Sequence, residues 1–336
     1  MATAALLSLL VGCAGSHSAR VGHAAAGPIV AGDVSVSTPA ALPAPQALVT
    51  DETQNRLLVV DLPSGRVVRR LALPMDPEGI AASRSGGVVT VVSSRAGKVT
   101  VLDRGTLHTI ETFGGFGGPH IAALSPDRKH AFITDDSRGT LTVIRLSDMK
   151  VTSTVRVGAG AHHLTVSPDH RRLWVALGES AAEIVILDSS RADHPRVIGS
   201  FDPGFTVHDL SFAPGGREVW VSSASGSDVT AFDARDHRVL FRVPVGAGPQ
   251  HLMFSGRYAY LTSGYGRRIE KVDAASGRVI ARATSPYGSF ELAVSDGYVV
   301  TSSLLRGTLA IFTPGLRLLR VVTLASATRE VAVSRP

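Results

Sequence analysis

The chain has 336 residues, 44% of them hydrophobic and 18% charged, with a net charge of +6 carried mostly by Arg. Its single cysteine excludes an intrachain disulfide. No basic run or aromatic–basic interleaving occurs, so a nucleic-acid partner is not expected, and no long amphipathic helical pattern competes with the short β-branched runs that fill the chain.

The first thirteen residues stand apart. Residues 4–11 form an apolar run ending in Gly12-Cys13. The run is too short to cross a bilayer as a helix but suits a signal-peptide core. Leu10-Val11-Gly12-Cys13 resembles a bacterial lipobox, which implies that residues 1–13 are a signal peptide and Cys13 the lipid anchor. No Lys or Arg precedes the run, a departure from the usual signal; an Ala/Leu-rich tail with an incidental cysteine is the alternative. Residues 14–45 are Ala, Gly, Ser, Pro and His with few large apolar side chains, a composition that reads as a flexible tether. This arrangement predicts an exported domain held at the outer face of the membrane.

From residue 46 the pattern changes. Residues 46–51, 56–61 and 66–73 read as three strands. The clearest repeat unit follows at 118–158, where four apolar runs are separated by Gly, Pro, Asp and Ser: a four-stranded antiparallel meander. Its turn Ser125-Pro126-Asp127 recurs as Ser167-Pro168-Asp169 and, degraded, as Ala213-Pro214-Gly215, with shorter versions at Ser83, Ser255 and Ser295. These turns start 40–46 residues apart, and most third strands end in Asp: Asp61, Asp103, Asp188, Asp233 and Asp273. Four strands at that period predict a β-propeller occupying residues 46–336.

Six units have a first strand, at 78–82, 120–124, 162–166, 208–212, 250–254 and 290–294. The three strands at 46–73 lack one, and the lone strand at 328–334 lacks partners. The C-terminal strand is therefore expected to complete the N-terminal blade, giving an all-β ring of seven four-stranded blades with no open edge. One chain closes its own ring, so a monomer is expected.

Phe132-Ile133-Thr134-Asp135, Trp174-Val175-Ala176, Trp220-Val221-Ser222 and Tyr260-Leu261-Thr262-Ser263 are variants of one second-strand spelling: aromatic, β-branched, small polar. With the Ser-Pro-Asp turn before it and the Asp-ended strand after it, this spelling resembles the YVTN, YncE-like β-propeller repeat family over residues 46–334. The resemblance implies an exported seven-bladed ring, often with a binding role; it names no activity.

First strands of a propeller line its channel. The residue pairs that open them are Glu78-Gly79, His120-Ile121, His162-His163, His208-Asp209, Gln250-His251, Phe290-Glu291 and Arg329-Glu330. Strand alternation predicts two sets facing opposite ways: Glu78, His120, His162 and His208, against His163, Asp209, His251, Glu291 and Glu330. Loops between second and third strands share that face and offer Asp135, Asp136, Glu179 and Tyr265. Imidazoles with carboxylates suit a divalent transition metal such as zinc or copper, with His120, His162, His163, His208 and His251 as candidate ligands. The competing reading has these groups bonding ring backbone and trapped water. Either way the channel mouth is the expected site for a small molecule or a protein partner. A metal-dependent enzyme is the alternative to a binding scaffold, with His208-Asp209 or His251 and Glu291 as acid–base pairs. No nucleophile motif and no phosphate-binding loop accompanies them.

Overall fold

The computed structural model describes residues 45–83, 87–178, 182–223, 226–245, 248–295 and 297–334. The lipobox with Cys13, the tether and Glu179 lie outside these residues. Every regular element among them is a strand, and the strands assemble into seven separate four-stranded antiparallel sheets. These are blades 1 to 7 in chain order. The ring closes as expected: Val331–Ser334 pairs with Gln46–Asp51 as the innermost strand of blade 1, with Val49 opposite Val331 and Gln46 opposite Ser334. The closing strand is shorter than 328–334. Arg329 leaves the ladder but still donates its backbone N–H to the Thr50 carbonyl.

Burial follows radius. Second strands such as Val88–Ser93 and His130–Asp135 are buried along their whole length, because neighbouring blades cover both faces. Outer strands such as Val67–Ala72 alternate, and Arg196–Phe201 is almost wholly exposed. The apolar side chains form seven clusters, and each is drawn from two adjacent blades; Val60, Val300 and Val331, for example, join blades 1 and 7. The core thus lies between blades rather than at the axis. A fully buried Val or Leu contributes about 1.5–3 kcal/mol, so stability is spread around the ring and the axis is left open for polar groups.

The repeated turn residues act locally. Asp103 accepts from the Thr106 backbone N–H at 2.7 Å and Asp233 from that of Arg235 at 2.8 Å. Asp61, Asp188 and Asp273 accept in the same way. In the Ser-Pro-Asp turns, Ser125 accepts from the backbone of Lys129 and His130, and Ser167 from that of Arg171 and Arg172.

Candidate metal centre

The first strands do not run as plain strands. Each of five, Pro77–Ala82, Pro119–Leu124, Ala161–Val166, Val207–Phe212 and Ser289–Ser295, shifts register against its neighbour two or three residues in. The residues skipped are the pairs that open the strands, so each pair sits in a bulge. A bulge leaves backbone groups without ladder partners. In four blades a second-strand hydroxyl supplies them. Thr134 Oγ1 accepts from the Ile121 N–H at 3.1 Å in its own blade and donates to the His162 carbonyl at 2.7 Å in the next. Ser222 does the same for Asp209 N–H and the Gln250 carbonyl, at 2.9 and 2.7 Å. Thr50 serves Glu330 and Glu78, and Thr262 serves His251 and Phe290. Three of these hydroxyls, Thr134, Ser222 and Thr262, are the small polar residues of the repeated second-strand spelling. The sequence displayed them without showing their task.

The bulge corrects the expectation of two sets facing apart. Both sets turn toward the axis and meet there. His120 stacks on His162 with ring centroids 3.8 Å apart. His163 from the other set lies 4.8 Å from His162 and 5.6 Å from His120. It also lies 5.5 Å from His208 and 4.8 Å from His251. The Nε2 atoms of His208 and His251 are 3.3 Å apart. Five imidazoles from four consecutive blades therefore form one contiguous cluster with His163 at its centre. Two triads within it have ligand nitrogens within 4.8 Å of one another: His120, His162 and His163, and His163, His208 and His251.

Carboxylates surround this cluster. Glu78 lies 3.0 Å from His120 Nδ1, and Asp136 3.3 Å from His162 Nδ1. Asp209 lies 3.5 Å from Nδ1 of both His163 and His251, and Glu291 is 2.8 Å from His251 Nε2. A carboxylate at Nδ1 holds the proton on that nitrogen and leaves the Nε2 lone pair for a metal. His120 and His162 are oriented in this way; Asp209 faces His163 Nδ1 at a longer distance, and His251 meets a carboxylate at both nitrogens.

Burial sets the charges. It holds His120, His163 and His208 below the ordinary histidine range, and the neighbouring imidazoles add to the effect, so all three are neutral at pH 7. Burial also acts to lower His251, but Glu291 and Asp209 outweigh it and lift the imidazole to about 10. Burial works to raise Glu78, yet its bond with His120 and the Arg329 charge bring it down to about 2. Glu330 goes the other way, pushed well up by burial and by Glu291 beside it. Its carboxylate accepts the Ile80 N–H of blade 2. Asp209, at the same position in blade 5, accepts the Leu252 N–H of blade 6 at 3.0 Å. These two acids bond ring backbone, as the competing reading expected, while Asp209 also faces the imidazoles.

Below the cluster a channel cavity of about 980 Å³ follows the axis; His163, Asp209, His251, Glu291 and Glu330 line it. Two expected mouth residues do not join the cluster. Asp135 is buried, and its carboxylate accepts from the N–H groups of Gly117 at 2.7 Å, Gly118 at 3.0 Å and Arg138 at 3.1 Å, fixing the loop that enters blade 3. It ends a fully paired strand and has no freedom to reach the axis; Asp136, one residue on, takes that place. Tyr265 is 63% exposed and packs edge-on against Phe290 and beside Tyr287 on the rim. A further acidic group, Glu52, Asp76 and Glu78, was not foreseen. It joins residues from two loops to one strand, and no sequence spacing links them.

No family model matches the chain. A stretch of 140 residues is 21% identical to protein NirF of Stutzerimonas stutzeri; it covers 41% of this chain and 35% of that protein, so the match spans about a third of the relative. Among solved structures, a functionally unknown protein from Desulfotomaculum acetoxidans aligns with a TM-score of 0.76 at 15% identity, covering 87% of this chain and 99% of that one. Apo AztD of Citrobacter koseri aligns with a TM-score of 0.68 at 11% identity, covering 86% and 97%. At such identities the likeness is one of fold.

Proposed function

We propose that this chain is an exported, lipid-anchored propeller of the YVTN, YncE-like type that binds a divalent transition metal, zinc or copper, at the imidazole end of its channel. One observation carries the metal reading: two triads of imidazole nitrogens lie within 4.8 Å, and in one of them carboxylates hold His120 and His162 at Nδ1 and leave Nε2 to bind at the axis. Three of the five imidazoles are already neutral, the state a metal needs. Three nitrogens make an incomplete tetrahedral set and leave a fourth position for water, a small molecule or a partner's ligand. The anchor rests on the lipobox at Cys13 and the tether behind it.

The test is elemental mass spectrometry on the full-length protein, stripped by chelator and then offered Zn²⁺ or Cu²⁺, beside a His163→Ala variant. Stoichiometric metal in the parent and its loss in the variant are expected. A parent that takes up neither ion would end the metal reading. Lipid labelling of the parent, absent from Cys13→Ser, tests the anchor.

A further inference from the structure

We propose that the mouth holds one divalent ion at a time and that this ion has two alternative positions, which share His163. This rests on the metal reading above and refines it. The outer position is His120, His162 and His163; the inner is His163, His208 and His251.

Three observations lead there. First, His163 is the one imidazole in ring contact with all four others. Second, both triads need His163, and a neutral imidazole carries a single lone pair. A neutral imidazole with one lone pair binds one ion. Two ions sharing it would require an imidazolate, and the adjacent carboxylate opposes that negative charge. Third, the triads differ in surroundings. Of the ligands not shared, His120, His162 and His208 are partly buried and His251 is buried. Among those four, His251 lines the channel cavity and His120, His162 and His208 do not. The inner position therefore has, in His251, a ligand of its own at the channel cavity, and the outer position has none.

Passage between them is a ligand exchange. The bonds from His120 and His162 break, those from His208 and His251 form, and the His163 bond persists. The ion's charge is unchanged. His251 Nε2 gives its proton to Glu291, 2.8 Å away. The ion thus steps inward without ever losing its last protein ligand.

Zinc is the probe, because it has no redox chemistry. Chelator-stripped full-length protein is titrated with Zn²⁺, bound zinc is counted by elemental mass spectrometry, and affinity is read by competition with a chromophoric chelator. The parent is expected to hold one equivalent. His120→Ala and His208→Ala should each still hold one, in the position left intact. The double variant and His163→Ala should bind at least tenfold more weakly than either of those two. Thermal melts show which variants fold; His→Gln replacements at the same positions stand in for any that do not. Two equivalents in the parent would overturn the proposal, as would loss of zinc on either outer or inner substitution alone. A parent that binds no zinc and no copper would instead overturn the metal reading itself.

Discussion

Replacing Thr134 by Val keeps the side-chain shape and removes one oxygen. Thr134 is fully buried, and its hydroxyl holds the Ile121 N–H at 3.1 Å and the His162 carbonyl at 2.7 Å. Both partners lie in bulges and have no ladder bond to fall back on. An orphaned buried polar group costs about 1–3 kcal/mol, so two give about 2–4 kcal/mol with some relaxation. At roughly 2–4 °C per kcal/mol for a large domain, the melting temperature should fall by about 5–15 °C. Thr90→Val is the control. Thr90 is equally buried, on the equivalent strand of blade 2, but its hydroxyl has no partner among the described residues. There the same change removes an unpaired oxygen, and stability should hold or rise by up to about 1 kcal/mol. Differential scanning calorimetry of both variants decides the matter. Equal melting temperatures would refute the assignment of the hydroxyl as the group that completes the bulge.

Two other outcomes follow from the same geometry. Removal of residues 328–336 takes away the four pairs to Gln46–Asp51 and the buried Val331; the loss, about 5 kcal/mol or more, is comparable with the whole stability of many domains. The truncated chain should lose its cooperative melt by circular dichroism, and a parent-like melt would count against closure through that strand. Glu78, at about 2 in the folded protein against 4.5 as the unperturbed value, contributes about 3 kcal/mol that is present above pH 4.5 and lost as pH falls toward 2. Glu78→Gln should lower stability at pH 7 and flatten the acid limb of the stability curve; an unchanged limb in urea titrations from pH 7 to 3 would remove Glu78 from the account.

The ring was legible because its punctuation repeats. Ser-Pro-Asp turns and Asp-ended third strands mark blade boundaries by backbone chemistry that works within a few residues, so it survives without tertiary context. Closure was legible by counting, since an unpaired strand stood at each end. The positions of the mouth residues followed from aligning blades. Their directions did not. Alternation holds for a paired strand, and the pairing breaks where these residues sit. The bulge depends on a hydroxyl from the neighbouring strand and a carbonyl from the neighbouring blade, two contacts roughly a dozen and thirty residues away. Asp135 shows the same limit. Its spacing matched a mouth loop, but local N–H groups of Gly117 and Gly118 capture its carboxylate first.

Fold and site draw on different residues. Seven interblade apolar clusters hold the ring, while the imidazoles His120, His162, His163, His208 and His251 meet at the axis. The residues that open the first strands, by contrast, bring imidazoles to the axis from blades 3 to 6 and Glu291, Glu330, Arg329 and Glu78 from blades 7, 1 and 2. A repeat protein can therefore carry an asymmetric site on a symmetric frame, because each position is held by backbone contacts that do not depend on its side chain. Asp209 and Glu330 break that separation. Each bonds the N–H of the next blade, Leu252 and Ile80, so each belongs to the frame and to the site at once. Changes at His120 or His208 should leave the ring intact, whereas a change at Asp209 removes the acid that faces His163 and His251 together with a bond between blades 5 and 6.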